Sequence, residues 1–254
     1  GMTPGRSVFL SMYGEFLDLL TACPEEVSKS TGLRMQEHES LSRLHGGHTW
    51  PVALRMAKAL SVMPWSALMS GKRILELGSG TGVVGMLAAG SAGPLATVLL
   101  TDGDPGVAEA LAGAILANQL SGQCTSAAYE WGGDARVLGT AAYDVILAAD
   151  CLYSLKAVGE LCNALDQLVS PGITRVLCAC EERWGTTEGL ELLRGRHWEC
   201  VERGVGFPET LCCGETGSPP REGTFHMFEL CRPSGYAVEG CAGGASVGGL
   251  VDAH

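Results

Sequence analysis

Apolar positions fall into short continuous runs that alternate with stretches of helical spacing. Ile74, Leu75 and Leu77 form one run. Ala96 to Thr101, Thr125 to Trp131, Tyr143 to Ala149 and Thr174 to Cys180 form four more. Runs of this length, bounded by turn residues, read as buried strands. Between them lie Val83, Val84, Met86, Leu87 and Ala88; then Val107, Leu111, Ile115 and Leu120; then Leu155, Val158, Leu161, Leu165 and Leu168. These recur at the spacing of a helix face, and a further helix is read over Thr187 to Leu193. Asp104 before Pro105 and Ser154 before Leu155 supply helix starts, and Pro171-Gly172 supplies a stop. Upstream, residues 7–20 have helical spacing and Leu33 to Glu37 reads as a weak strand. Thr49 reads as the cap of a helix that carries Pro51 in its first turn and runs to about Met63.

The alternation ends after Leu193. His197 to Val205 and Thr224 to Cys231 both read as strands, and the turn-rich segment Pro208 to Gly223 between them shows no helical period. The pattern predicts an α/β fold: a doubly wound, mostly parallel sheet of seven strands that ends in an antiparallel hairpin. Ligands of such sheets bind at the carboxyl ends of the strands.

Composition narrows the function more than the fold. The chain has 254 residues, 46% hydrophobic, with a net charge of −11. It carries 17 Lys and Arg without a dense run, so it lacks the basic patch that binds a phosphate backbone, and a nucleic-acid partner is not expected. No apolar run is long enough for a membrane span and no export signal is read, so no membrane partner is expected either. The eleven cysteines include no CxxC pair, and many fall in apolar strand or helix patterns. His45-Gly-Gly-His48 lacks thiol or carboxylate partners at ligand spacing, and no metal site is assigned. A reducing, cytoplasmic (or nuclear) compartment and a monomer are the expectations.

The stretch Arg73 to Gly85 carries the first chemistry. A strand ends at Leu77, a loop places glycines at 78, 80 and 82, and a helical pattern follows. Glycines let a ligand approach the main chain, and a helix start attracts a negative group. Gly80, Gly82 and Gly85 satisfy the dinucleotide pattern GxGxxG, with Asp102 at the end of the next strand as a ribose acceptor. The register is displaced, however, because the turn begins at Gly78. The full motif is Glu76-Leu77-Gly78-Ser79-Gly80-Thr81-Gly82, with an acid inside the strand end.

This motif resembles motif I of the class I S-adenosylmethionine-dependent methyltransferases. Trp50-Pro51, Thr101-Asp102, Trp131-Gly132 and Ala149-Asp150-Cys151-Leu152-Tyr153 follow in an order similar to that of the seven-β-strand protein-lysine methyltransferases (methyltransferase family 16 type) related to the calmodulin-lysine and chaperone-lysine enzymes. The resemblance covers roughly Leu33 to Cys231. With the helical spacing at 7–20 read as part of an N-terminal helix and extension over 1–48, and the Gly- and Ala-rich, little-charged segment 232–254 read as a flexible tail, the resemblance implies a methyltransferase domain over 49–231. It also implies S-adenosyl-L-methionine as cofactor, with S-adenosyl-L-homocysteine as product, and a protein substrate with an exposed lysine. Trp50, Glu76, Gly78, Ser79, Gly80, Asp102, Trp131 and Ala149 would line the cofactor site. Glu76 suits the ammonium of the donor's methionine end, Asp102 its ribose hydroxyls, and Trp131 its adenine ring. Asp150 would orient the lysine amine and Tyr153 would wall the channel for its alkyl chain. Cys151-Leu152 departs from the β-branched pair the family often carries there. The Asn/Asp-Pro-Pro-Tyr signature of amino-adenine methylation is absent. A small-molecule amine or histidine methyltransferase and a non-catalytic cofactor-binding adaptor are the alternative readings.

Overall fold

The computed structural model describes Leu33 and residues 49–61, 64–182, 185–205 and 224–233. The helix read over 7–20, nearly all of the weak strand at 33–37, the histidine pair at 45–48, the 208–223 segment and almost all of the tail lie outside the described residues.

Helix α1 (Pro51–Ser61) and the short α2 (Trp65–Met69) precede strand β1 (Arg73–Leu77). The chain then alternates through α3 (Val83–Ala92), β2 (Thr97–Asp102), α4 (Pro105–Ala117), β3 (Cys124–Ala128), a single 3₁₀ turn (Ala135–Leu138), β4 (Val145–Ala149), α5 (Leu155–Leu168), β5 (Arg175–Glu181) and α6 (Thr186–Gly195). It finishes with β6 (Glu199–Val205) and β7 (Phe225–Cys231). The strands form one sheet in the order β3-β2-β1-β4-β5-β7-β6. Pairing is parallel from β3 to β5, and β7 runs antiparallel to both β5 and β6. The predicted seven-stranded architecture is therefore what forms, with β7 inserted between β5 and the edge strand β6.

Strand parity divides the core into two layers. Ile74, Val98, Leu100, Val145 and Leu147 face α1, α3 and α4. Leu75, Leu77, Ile146, Ala148, Val176 and Cys178 face the opposite way, against α5, α6 and Trp198. Because side chains alternate along a strand, Glu76 must share the face of Ile74 and point toward α3. That parity decides what its carboxyl meets.

The caps agree with the sequence with one exception. Asp104 Oδ1 accepts from the N–H groups of Gly106 (2.7 Å) and Val107 (3.2 Å) at the start of α4. Asp104→Ala should cost about 1 kcal/mol of stability, read as a lower urea midpoint at unchanged slope. Ser154 Oγ accepts from Ala157 N at 3.2 Å and caps α5, so Asp150 is not that helix's cap. The exception is Thr49. The backbone carbonyl of Trp50 takes the first bonds of α1, and the Thr49 hydroxyl pairs with the Thr81 hydroxyl at 2.8 Å. A residue read as a local cap thus ties the start of α1 to the glycine loop.

Candidate active site

The carboxyl ends of β1, β2, β3 and β4, on both sides of the switch between β1 and β4, deliver residues to one cleft. The cavity encloses about 570 Å³, within the size range of pockets for small organic ligands. The loop after β1 gives Gly78, Ser79, Gly80 and Thr81; the end of β2 gives Asp102. The turn after β3 gives Tyr129, Glu130 and Trp131, and the end of β4 gives Ala149, Asp150, Cys151 and Tyr153. Trp50 closes one side from the start of α1. All ten residues singled out in the sequence line this single cavity.

The glycine loop is held by bonds to the ends of β1 and β2. Ser79 N donates to Thr101 O at 2.8 Å, and Ser79 Oγ accepts from Thr101 N at 3.0 Å. The Thr101 hydroxyl donates to Glu76 O at 2.7 Å. Gly80 N donates to Asp102 Oδ2 at 3.1 Å, and Gly82 N to Ser79 O at 2.8 Å. The sequence assigns the N–H groups at the start of the following helix to an anionic ligand; these three N–H groups of the loop hold its own shape, and Gly85 N in the first turn of α3 bonds to Glu76. At Gly78 the backbone has φ +67°, and an added Cβ would lie 2.9 Å from the Trp131 ring and 3.3 Å from Cys151 Sγ. The indole therefore rests on the bare backbone of the loop, which only glycine allows.

Glu76 and Asp102, which both line the cleft, differ. Asp102 is half-buried, with Oδ2 bonded to Gly80 N and Oδ1 to Asp104 N at 3.1 Å. Burial raises its pKa, opposed by these backbone donors. Its remaining acceptor capacity faces the cleft, which suits paired hydroxyls. Glu76 is 1% exposed. Its Oε2 accepts from Gly85 N at 2.9 Å in the first turn of α3, and a Cβ on Gly85 would sit 2.5 Å from that oxygen. Desolvation pushes its pKa up to about 8, opposed by the bond from Gly85. The sequence places Glu76 at the donor's ammonium, and in the structure it also anchors the helix that follows the loop.

Asp150 has left-handed backbone, φ +59°, a region few residues other than Gly, Asn and Asp enter. Its N–H donates to Ala179 O at 2.8 Å, continuing the β4–β5 ladder one residue past the strand. The residue is 9% exposed and lines the cleft beside Ala149. Such backbone is costly and concentrates at functional sites. Cys151 is buried, its thiol donating to Leu77 O at 3.4 Å. Burial pushes that thiol well above its ordinary value, so it is a small packing group and not a nucleophile. Tyr153 is 49% exposed at the rim.

Three further lining acids or aromatics escaped sequence reasoning: Tyr129, Glu130 and Glu160. The first two directly precede Trp131, and Glu160 lies on α5, whose N-cap Ser154 follows Tyr153.

Comparison with known proteins decides the family. Residues 27–191 match the family model described as lysine methyltransferase. The chain belongs to that lysine methyltransferase family. It is 32% identical over 206 residues to the protein-lysine N-methyltransferase EFM3 of Chaetomium thermophilum, covering 76% of this chain and 60% of that protein. It is 34% identical over 123 residues to the protein N-lysine methyltransferase METTL21A of Danio rerio, covering 47% of this chain and 54% of that one. The chain thus spans less than two thirds of the length of either relative. Among solved structures, an O-methyltransferase family protein from Burkholderia thailandensis aligns with a TM-score of 0.54 at 16% identity, over 91% of this chain and 70% of that one. That likeness concerns the fold. The family's methyl donor is S-adenosyl-L-methionine, and the residues present fit it. An aromatic plane lies on the glycine loop, a bidentate carboxylate lies at the end of β2, and no lysine or arginine for a phosphate lines the cleft among the described residues.

Proposed function

We propose that this protein is an S-adenosylmethionine-dependent methyltransferase that modifies a lysine side chain of a protein. The observation that carries the reading is Asp150, a buried carboxyl held in left-handed backbone at the edge of the donor cleft. When bound, the donor supplies a methyl group on a sulfonium. Gly78, Ser79 and Gly80 would let its methionine end approach the main chain, Asp102 would take the ribose hydroxyls, and Trp131, with Trp50 in the same lining, would supply aromatic surface for the ring system. Asp150 accepts an N–H hydrogen bond from the lysine amine and so aims the nitrogen lone pair. Tyr153 walls the alkyl chain. The amine must be neutral to react, and an apolar channel that desolvates an ammonium lowers its pKa from about 10.4. Most of the acceleration is then positioning, for which about 7–11 kcal/mol is available at best.

The test is incubation of the protein with methyl-labelled donor and a cell lysate. Label at lysine in protein supports the reading, and label confined to small metabolites or to histidine overturns it. The cofactor assignment has its own check. Asp102→Ala should weaken S-adenosylhomocysteine binding about tenfold by calorimetry, because two charge-assisted bonds to ribose are lost. Unchanged affinity would remove Asp102 from the ribose site.

A further inference from the structure

The charges of the cleft say more about the acceptor, given the lysine reading on which this inference rests. Five of the described lining residues carry carboxyl groups: Glu76, Asp102, Glu130, Asp150 and Glu160. Glu76 and Asp102 are bonded to backbone N–H groups, and Asp150 lies at the inner edge. Glu130 and Glu160 are different, because they stand at the outer margin in contact with solvent. Glu130 is exposed. The Glu160 side chain is 38% exposed, and it pairs with Lys156 of the same helix at 3.6 Å. A pair of that kind, with a lysine 87% exposed, contributes little and exchanges readily with another cation.

Apolar surface accompanies these carboxylates. Tyr153 is 49% exposed in the cleft wall, and Leu155 is 54% exposed two residues on, in the first turn of α5. Burial raises the Tyr153 hydroxyl pKa, and the nearby Cys151 and Glu160 add to the rise. Aromatic and aliphatic side chains next to carboxylates match the two parts of a basic side chain. The methylene stem of a lysine or arginine covers apolar surface, and its charged head reaches the acid.

We propose that Glu130 and Glu160, with Tyr153 and Leu155, form a docking surface for a basic segment, so that the lysine methylated is one flanked by further lysines or arginines. An acidic mouth whose described lining holds no lysine or arginine, with Lys156 alone paired at its margin to Glu160, raises the local concentration of a cationic segment and speeds its encounter, an effect that salt screens. The same field repels acidic segments, which gives discrimination by repulsion as well as attraction.

The experiment uses the full chain, labelled donor and synthetic peptides of equal length with one central lysine flanked by arginine, glutamine or glutamate. The expected kcat/KM is about tenfold higher with arginine than with glutamine flanks, and lowest with glutamate. Raising the ionic strength from about 0.05 to 0.5 M should shrink that ratio. In Glu130→Gln/Glu160→Gln the arginine advantage should drop below about threefold, with an unaltered thermal midpoint showing that the fold is intact. Equal rates with arginine and glutamine flanks would overturn the proposal, as would an advantage that survives the double substitution. If no lysine peptide accepts label while the donor still binds, the lysine reading itself fails, and this inference with it.

Discussion

Asp150→Asn should slow methyl transfer by about 10²-fold or more while leaving donor affinity within about threefold. Asparagine is the informative replacement because of the backbone. With φ +59°, alanine at this position would add strain of its own, whereas asparagine tolerates left-handed geometry nearly as well as aspartate. The substitution keeps the volume and the Asp150 N–H bond to Ala179 O that extends the β4–β5 ladder. It removes the negative charge and one of the two carboxylate acceptors that can hold the amine. A misaimed lone pair loses rate without losing donor, so the deficit should appear in kcat with S-adenosylhomocysteine binding preserved. If transfer stays within about threefold of the parent, Asp150 has no part in positioning the amine. If donor affinity falls together with rate, the residue belongs to the cofactor wall instead.

The same residue shows what the sequence could reveal. Its place after a strand of five apolar residues was legible, because a buried strand ends where polarity begins. So were the sheet, the caps at Asp104 and Ser154, and the glycine loop, all of which are local patterns. What the chain does at long range was not. Thr49 reads as a cap by its neighbours, yet its hydroxyl meets Thr81 across the fold. The loop of Gly78, Gly80 and Gly82 reads as open backbone for a ligand, yet the N–H groups of Ser79 and Gly80 bond within the scaffold, because Thr101 and Asp102 come alongside only when β1 and β2 pair. Glu130 and Glu160 carry no motif, and only the packing of β3's turn and α5 around one cleft makes them neighbours of Tyr153. Sequence spacing located residues that line the cleft, and the tertiary structure was needed to find the exposed carboxylates at its margin.

Glu76 is the second position where a large effect is expected, and it is an effect of pH on stability. An acid 1% exposed, whose described side-chain bonds are to neutral donors, favours its protonated form; its folded pKa is near 8 against 4.5 for the ordinary group. Between those values the folded state holds a proton that the unfolded chain has released. Stability from this group is therefore complete below about pH 4.5 and is lost as pH rises through about 8. The slope approaches 1.4 kcal/mol per pH unit, with a total of roughly 5 kcal/mol as an upper figure. Glu76→Gln cannot titrate, while its amide oxygen can still accept from Gly85 N. The difference in unfolding free energy between parent and variant, measured in urea from pH 5 to 8.5, should move steadily against the parent. A flat difference would mean that the carboxyl is ionised in the fold throughout. Saturating donor separates the two roles assigned to this side chain. If Glu76 faces the ammonium of the bound methionine end, the cation stabilises the carboxylate and the pH slope collapses when donor is present. If the carboxyl serves only to pin Gly85 and the start of α3, donor raises stability at every pH and leaves the slope as it was.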